Sequence, residues 1–355
     1  MNILMVIGSL GFGGAERVMS SVAGYLADRH RIKICTLHQL PIAYPLDERV
    51  SLVEGIAADG VPGAIRSIRK EAKSFHADIV LSFLTHVNIT TITAMMGTGI
   101  PVVVSERNDP RAENNKKRVL LRAITYPFAR GFAFQTNGAK QYFSAAIQNR
   151  SEVIPNPVFV DDIPLLDPEQ VRRKKVFSAV GRLNEQKNYP MMLHAFAKVM
   201  QKYPEFHLNV FGDGELREQT EQLCKELGIA SNVHLMGAVK DVHSRIQNSH
   251  AFLMTSDYEG MPNALMEALA MGLCCISTDC PCGGPDELTR SGERGILVPV
   301  GDDQALAAEM IRVIEQPERA AQFRKKAQAV RTDYALSKIG DQWERFLLKV
   351  AGKKA

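Results

Sequence analysis

The same local plan opens both halves of this 355-residue chain: a short apolar run, a glycine-bearing loop and an amphipathic segment. The first copy begins at Ile3 and the second at Val176, with Gly181 in the position of Gly8. Short apolar runs bounded by glycine are typical of strands that are buried on both faces of a parallel sheet. A chain that repeats this plan is predicted to fold as two similarly built α/β domains.

Further strand-like runs alternate with helical patterns in each half. In the first half they cover residues 2–7, 32–37, 79–84, 102–105 and 131–135, and in the second half 176–180, 207–211, 233–236, 251–255 and 274–278. The alternation predicts one doubly wound parallel sheet per domain, with a cleft between the two. We place the domains at 1–160 and 170–335, joined by a proline-bearing connection from Asn156 to Pro168.

Composition narrows the class of protein. The chain is 45% hydrophobic and 23% charged, as is usual for globular domains, and no run of 18 or more apolar residues predicts a membrane-spanning helix. The six cysteines form neither a disulfide framework nor a zinc pattern, and no secretory signal is recognised. We therefore expect a cytoplasmic protein without a bound metal.

The glycine loop after the first strand matches neither of two well-known phosphate-binding loops. A dinucleotide fingerprint that starts at Gly11 needs a small residue where Glu16 stands, and a P-loop that starts at Gly8 needs lysine where Gly14 stands. The loop is left as a tight turn whose bare backbone can approach a ligand. A turn that is needed only for steric reasons, with no ligand, explains these glycines equally well.

Two glutamates follow the predicted strand 251–255. Glu259 lies in the loop, and Glu267 lies in the second turn of the next predicted helix. The carboxyl end of a strand is where open α/β sheets bind ligands, and amides at a helix start can meet phosphate. The pair suits a ligand with both hydroxyl and phosphate groups, although an ordinary solvent-facing loop and helix give the same pattern.

The helix itself is predicted from its spacing. Pro262 suits the first helical position, and Asn263 shares one face with Glu267. Leu265 and Leu269 lie on roughly the opposite face and are expected in the core.

The E-x7-E pattern, together with GRLNEQK at residues 181–187 and GGAER at 13–17, resembles the retaining GT-B glycosyltransferases of family 4. The resemblance covers essentially the whole chain. It implies two Rossmann-like domains that face a cleft, with the last helix, at 336–355, crossing back to the first domain. It also implies transfer of a hexose or N-acetylhexosamine from a nucleotide diphosphate sugar, a UDP-sugar in our interpretation.

The same resemblance implies roles for single residues. Glu259 would contact the donor sugar, and Arg182 and Lys187 would meet the charge of the leaving diphosphate. The implied donor-binding residues are Gly14, Gly260, Met261, Asn263 and Glu267. Asp213 and Glu215 fall in a structural turn rather than a metal-binding aspartate pair, so we expect no metal and no cofactor.

The first domain departs from the family at one point. Glu106, Arg107 and Asn108 stand where the family often has a histidine near the scissile bond. These three, with His86 as a pocket-lining or structural residue, are the possible acceptor-side residues.

Charge is divided unevenly, because residues 1–160 carry a net +6 and the remainder a net −2. Much of the excess lies between Arg107 and Arg130, a basic amphipathic stretch that either rests on an anionic membrane or forms a solvated helix face. We expect a peripheral protein on the inner face of the cell membrane, a lipid-linked saccharide as acceptor and no nucleic acid partner. A nucleotide-sugar 2-epimerase and a non-catalytic sugar-nucleotide binding protein are the alternatives.

Overall fold

The computed structural model describes residues 1–160, 163–167 and 173–353. Two compact units are present: Met1–Pro157 together with the C-terminal segment from Leu336, and Val158–Ala335. The predicted connection begins at Asn156, and its residues Asp161, Asp162 and Pro168 lie outside the described residues.

The first unit is built on a seven-stranded parallel sheet in the order β3-β2-β1-β4-β5-β6-β7. Its strands are β1 (Asn2–Ile7), β2 (Arg31–Thr36), β3 (Ser51–Val53), β4 (Ile79–Phe83), β5 (Val102–Ser105), β6 (Gly131–Phe134) and β7 (Ser151–Val153). The connecting helices are α1 (Gly14–Leu26), α2 (Gly60–Ser74), α3 (Thr85–Met95), α4 (Lys116–Thr125), α5 (Asn137–Gln141) and α6 (Ala145–Gln148). The central strands β1, β4 and β5 are almost wholly buried, as expected for a sheet covered on both faces.

The second unit repeats the plan with six parallel strands in the order β10-β9-β8-β11-β12-β13. Its strands are β8 (Val176–Val180), β9 (His207–Phe211), β10 (Val233–Gly237), β11 (Ala251–Met254), β12 (Cys275–Thr278) and β13 (Ile296–Val298). Its helices are α7 (Tyr189–Lys202), α8 (Arg217–Glu226), α9 (Val242–Ile246), α10 (Asn263–Met271), α11 (Gly284–Thr289), α12 (Asp303–Glu315), α13 (Pro317–Ala327) and α14 (Val330–Asp333). In both units the strand order reverses beside the first strand, which is where such sheets open a crevice for ligands.

The prediction of two doubly wound parallel sheets is confirmed, but three strands were missed. The strands β3, β7 and β13 have three residues each and pair on one side only, at the edges of their sheets. Strands this short give too few residues for a readable pattern, even where, as in β13, the residues are apolar and mostly buried.

The last helix, α15 (Leu336–Ala351), packs on the first unit. Trp343 is fully buried there, and the Tyr25 hydroxyl donates to the Asp341 carboxylate over 2.6 Å. A Cβ at Gly340 would overlap the Tyr25 ring, so glycine is needed for the close approach of the two helices. The predicted return of the C-terminal helix to the first domain is confirmed.

The stretch from Arg107 to Arg130 is not one amphipathic helix. A 3-10 turn at Pro110–Ala112, the helix α4 and a second 3-10 turn at Tyr126–Phe128 divide it. Arg122 is 4% exposed and bonds the carbonyl oxygen of Pro110, so it cannot serve as a surface charge. None of the described helices is both long and apolar enough to span a bilayer.

Candidate active site

Two loops of the second unit contact each other at the carboxyl edge of its sheet. The loop after β8 and the loop after β11 are neighbours, because these two strands pair directly. The Thr255 hydroxyl donates to the carbonyl oxygen of Lys187 over 2.9 Å. The amide of Asp257 donates to the carbonyl oxygen of Gln186, also over 2.9 Å. The side chain of Gln186 reaches the carbonyl oxygen of Tyr258 over 2.9 Å. Two loops far apart in sequence therefore form one framework.

The central contact of this framework is an ion pair between Lys187 and Glu259. The Lys187 ammonium lies 2.5 Å from Glu259 Oε1, and the two side chains are 18% and 11% exposed. The Ser256 hydroxyl donates to the same Oε1 over 2.8 Å. One carboxylate oxygen thus takes both contacts, a charge-assisted arrangement that fixes the orientation of the carboxylate plane.

The lysine-bearing loop is held by Asn188, which caps helix α7. Asn188 has φ 43° and ψ 52°, the left-handed region that asparagine tolerates better than most residues. Its carboxamide oxygen accepts from the amide of Met191 over 3.2 Å, and its nitrogen donates to Asp257 over 2.7 Å. The cap therefore starts the helix and ties it to the second loop.

A third loop, after β9, packs beneath the arginine and lysine loop. A Cβ at Gly212 would overlap the carbonyl oxygen of Gly181, and a Cβ at Gly214 would overlap that of Leu183. The amide of Leu183 donates to Asp213 O over 3.0 Å. Asp213 thus lies in a turn that supports the site through its backbone, while its side chain accepts from the amide of Gly214 over 2.9 Å.

Arg182 projects from this framework into solvent. Its side chain is exposed and forms no hydrogen bond or ion pair with any residue that the structure describes. Its charge lowers the pKa of Tyr258, although burial leaves that pKa raised on balance. An exposed guanidinium close to the Lys187 loop is available to an anionic ligand.

Helix α10 begins one residue later than predicted. Pro262 is its N-cap with an extended ψ of 110°, and Asn263 is the first helical residue. The carbonyl oxygen of Pro262 accepts from the amide of Met266 over 3.1 Å, as an N-cap carbonyl does, while its ψ stays outside the helical range. Leu265 and Leu269 are fully buried, as predicted, while Glu267 remains partly exposed on the other face.

Glu267 has a partner that the sequence did not reveal. Its Oε2 lies 3.0 Å from Nε2 of His243, in the short helix α9, and each side chain is 14% exposed. The contact orients the carboxylate, which keeps only a small exposed fraction.

The loop after β12 closes the other side of the site. A Cβ at Gly284 would overlap the carbonyl oxygen of Gly260, so only glycine permits this approach. The Thr278 hydroxyl and the Cys280 thiol both donate to the carbonyl oxygen of Ser256, over 2.6 and 3.2 Å. Gly260 and Met261 are buried between these loops.

The first unit carries a second group of polar residues at the carboxyl edge of its sheet. Gly14 is the exposed first residue of α1, and the Glu16 carboxylate folds over Gly13, where a Cβ would collide with it. The ring of His86 lies beside Gly8, with Nε2 3.6 Å from the place of a Cβ there. Burial lowers the pKa of His86, and the charges of Arg118 and His38 lower it further.

Arg107 is built into this edge. Its guanidinium stacks over the Phe83 ring at 4.5 Å, Nη1 donates to Ser105 Oγ over 3.3 Å, and Nη2 donates to Asn156 Oδ1 over 2.5 Å. Nε is buried without a partner. Burial lowers the pKa of Arg107 to about 9, and Glu16 partly opposes this.

Glu106 and Asn108 take different positions from Arg107. Glu106 is 3% exposed, and its two oxygens accept from the Tyr126 hydroxyl and from Thr85 Oγ1. Burial raises the pKa of Glu106. The carboxylate therefore holds the loop in place rather than facing a ligand, whereas Asn108 is exposed and its side-chain oxygen accepts from the amide of Asp109.

Both units match known protein families. Residues 12–162 match the family model described as Glycosyltransferase Family 4, and residues 167–330 match the one described as Glycosyl transferases group 1. The chain is a glycosyltransferase of the GT-B fold.

Individual relatives of this glycosyltransferase agree with the family matches. A Campylobacter jejuni protein named GalNAc-alpha-(1->4)-GalNAc-alpha-(1->3)-diNAcBac-PP-undecaprenol alpha-1,4-N-acetyl-D-galactosaminyltransferase is 28% identical over 360 residues, 99% of this chain and 99% of the relative. The lipopolysaccharide 1,6-galactosyltransferase of Salmonella typhimurium is 33% identical over 168 residues, 46% of this chain and 45% of the relative. Anabaena HepE, crystallised with UDP-glucose, shares the fold with a TM-score of 0.84 at 19% identity, covering 98% of this chain and 100% of that one.

Several residues that shape the site of this glycosyltransferase were not singled out from its sequence. They are Asn188, His243, Ser256, Asp257 and Gly284. Asn188 and the glycine pair in CGG before Pro285 are residues typical of turns, so the sequence indicates that turns occur there. The sequence does not indicate which partner a polar side chain in a loop will contact.

Proposed function

We propose that this glycosyltransferase is a retaining enzyme of the family-4 type that uses a UDP-sugar. It moves a hexose or N-acetylhexosamine to a lipid-linked saccharide during cell-surface polysaccharide synthesis. The Lys187–Glu259 ion pair at the carboxyl edge of the second sheet carries the proposal. It places a cation and an oriented carboxylate together where such sheets bind nucleotides.

The donor site follows from the charges around this pair. In the proposed reaction the bond from sugar C1 to the diphosphate oxygen breaks and a bond from C1 to an acceptor oxygen forms. The acceptor proton passes to the leaving diphosphate. Arg182, exposed and unpaired among the described residues, and Lys187 stabilise the negative charge that develops on the diphosphate. Because two cations supply this charge, we propose transfer without a divalent metal.

The two carboxylates have separate roles in the proposal. Glu259 Oε1 is occupied by Lys187 and Ser256, which directs the other oxygen towards a sugar hydroxyl. Glu267, on the partly exposed face of α10, binds the ribose hydroxyls, and the start of the helix meets phosphate through Asn263 and the preceding loop. We also propose Gly14, the exposed first residue of α1, as a donor-binding residue.

For the acceptor we propose the edge of the first unit that contains Arg107. Its buried guanidinium has one free nitrogen and a lowered pKa, and both features favour a nearby anion. The diphosphate of a lipid-linked saccharide supplies one. Relatives named for lipid-linked and lipopolysaccharide acceptors support this choice of acceptor.

We also propose that α4 docks on an anionic membrane. Leu120, Leu121, Ile124 and Phe128 are 47 to 62% exposed, and Lys116 and Lys117 are exposed beside them. Replacing Lys116 and Lys117 by Gln is expected to weaken sedimentation with phosphatidylglycerol vesicles, since each basic residue near a charged surface contributes about 1 kcal/mol. Lys325→Gln and Lys326→Gln on α13 are the matched control. Unchanged, salt-insensitive binding would make this stretch an ordinary solvated face.

The deciding experiment measures UDP release from a panel of UDP-sugars with and without undecaprenyl-diphosphate saccharides. Donor binding is first established by thermal shift, because a ligand at 100 times its dissociation constant stabilises by about 2.7 kcal/mol. We expect acceptor-dependent release of UDP that is lost in Lys187→Met. Conversion of the sugar without acceptor would identify an epimerase, and binding without any turnover would identify a binding protein.

A further inference from the structure

The amino-terminal edge of the second sheet, opposite the donor site, gathers positive charge. The chain enters β8 beside the segment that enters β11, with the amide of Lys174 donating to Asn248 O over 2.8 Å. Arg173 Nη1 donates to Gln247 O over 2.7 Å. A five-residue strand such as β8 separates this edge from the carboxyl edge by roughly 16 Å.

Arg324 of α13 is buried at this edge, and no described carboxylate balances its charge. It is 7% exposed, its Nε has no hydrogen-bond partner, and no carboxylate in residues 1–160, 163–167 or 173–353 pairs with it. Two other buried arginines do have partners for their charge or their donors. Arg294 pairs with Asp333, and Arg122 bonds Pro110 O and the Tyr142 hydroxyl. A buried guanidinium without an anion is strongly unfavourable, so Arg324 requires an explanation.

Arg173 adds a second incompletely paired guanidinium. Its Nε and Nη2 are both buried without a partner. Burial and the charge of Arg324 together lower the pKa of Arg173 to about 10. Two like charges that act on each other in a poorly solvated place repel each other unless an anion offsets them.

Among the residues that the structure describes, the other groups around the two arginines do not supply that anion. Burial raises the pKa of the Cys274 thiol to about 11, so it is neutral, and His250 donates to the carbonyl oxygen of Val313 over 3.1 Å. The Glu309 carboxylate, whose charge acts on Cys274, is already paired with two other arginines, Arg312 and Arg319.

A cavity of about 620 Å³ opens at Arg173 and is also lined by Lys174, Lys175 and Asn248. This volume exceeds what one phosphate needs. Guanidinium forks match phosphate oxygens, and lysines add point charges.

We infer that this edge is a second anion site, separate from the donor site, in which Arg173 and Arg324 bind a phosphoryl group. The ligand is inorganic phosphate or the phosphoryl group of a larger molecule. Its binding neutralises the buried pair and so stabilises the second unit.

The test titrates the whole protein with inorganic phosphate against chloride at equal ionic strength, with thermal unfolding as the readout. At 100 times the dissociation constant we expect Tm to rise by roughly 5 to 10 °C. Arg324→Met is expected to raise Tm in chloride, because it removes an uncompensated buried charge, and to abolish the response to phosphate. Arg319→Met, on the same helix but paired with Glu309, is the matched control and keeps the response.

Two further measurements locate the site. Phosphate is expected to raise the pKa of His250, followed by NMR, because it offsets the two arginine charges that lower that pKa. Saturating UDP leaves the phosphate response unchanged if the sites are separate. Uridine monophosphate in place of phosphate distinguishes a nucleotide phosphoryl group from the free ion.

The inference is overturned if the phosphate response persists in Arg324→Met or disappears in the presence of UDP. If Arg324→Met does not fold, Arg173→Gln replaces it and is expected to weaken phosphate binding at least tenfold. An unchanged affinity in Arg173→Gln, or no phosphate binding to the wild-type protein, would likewise refute it.

Discussion

The Lys187–Glu259 ion pair makes a quantitative prediction about stability. Both side chains are more than four-fifths buried and their charged atoms are 2.5 Å apart, so the pair resembles a charge-assisted hydrogen bond rather than a surface ion pair. Hydrogen bonds to charged groups contribute about 1.5 to 3 kcal/mol. For a folding unit of this size, each kcal/mol moves Tm by about 2 to 4 °C. The coupling is therefore expected to be worth about 3 to 12 °C.

A double-mutant cycle isolates this coupling. Lys187→Met, Glu259→Gln and the double variant are compared by thermal unfolding, and the interaction is the part that does not add. The matched control is Lys198 with Asp303, whose charged atoms are 2.6 Å apart but whose side chains are 39% and 31% exposed. Exposed pairs contribute about 0.2 to 1 kcal/mol, and the cycle subtracts the helix-dipole effect of Asp303.

The result that refutes the reasoning is a coupling at Lys187–Glu259 no larger than the control. It would mean that the carboxylate is satisfied equally well by Ser256 alone. The pair would then be an incidental contact, and its use as the framework of the donor site would fail with it.

Three further predictions concern the ligand and pH. Arg182→Ala is expected to lower turnover, through a loss of about 2.7 to 4 kcal/mol of transition-state stabilisation, with little loss of donor affinity. Transfer by the wild-type protein should survive EDTA. If EDTA abolished transfer and Mg²⁺ restored it, a metal would carry the charge instead. Glu267→Gln should weaken UDP binding in calorimetry, whereas Glu259→Gln should leave it nearly intact while reducing transfer; the opposite result reverses the two roles. Burial first, and then the Arg324 and Arg173 charges, lower the pKa of His250 below its unfolded value of about 6.5. The unfolded state then binds the proton more readily, so stability falls as pH drops below about 6.5. His250→Phe, which keeps the ring contacts with Phe177 and Phe206, should flatten this dependence between pH 7.5 and 5.5, and an unchanged slope would exclude His250 as its source.

The sheets could be predicted because burial on both faces leaves a readable pattern. The strands β5, β8 and β9 begin and end at the predicted residues, since each is a run of four or five mainly apolar residues with a polar or glycine residue after it. The return of the last helix was implied by the family resemblance, and its single tryptophan is fully buried. The spacing of apolar residues along the sequence shows which positions are buried, and the arrangement of buried positions largely determines the fold.

The contacts of the site could not be predicted in the same way. Spacing showed that Glu267 lies on the polar face of α10, but its partner His243 comes from α9, and no periodic pattern links the two. The basic stretch was misjudged for a related reason. Charge counting cannot distinguish exposed Lys116 and Lys117 from Arg122, which is buried against Pro110, because the position of an arginine depends on long-range packing.

The first unit shows how the return helix contributes to function as well as to stability. The buried Trp343 ring of α15 packs against Phe83 with the ring centroids 5.6 Å apart, and the Arg107 guanidinium lies 4.5 Å from the Phe83 ring centroid. Phe83 ends β4, and the next residue, Leu84, has φ 79°, a strained conformation for a branched side chain. The helix that closes the chain therefore supports the residue that we propose for the acceptor, and Trp343→Leu would loosen Arg107 without touching any ligand.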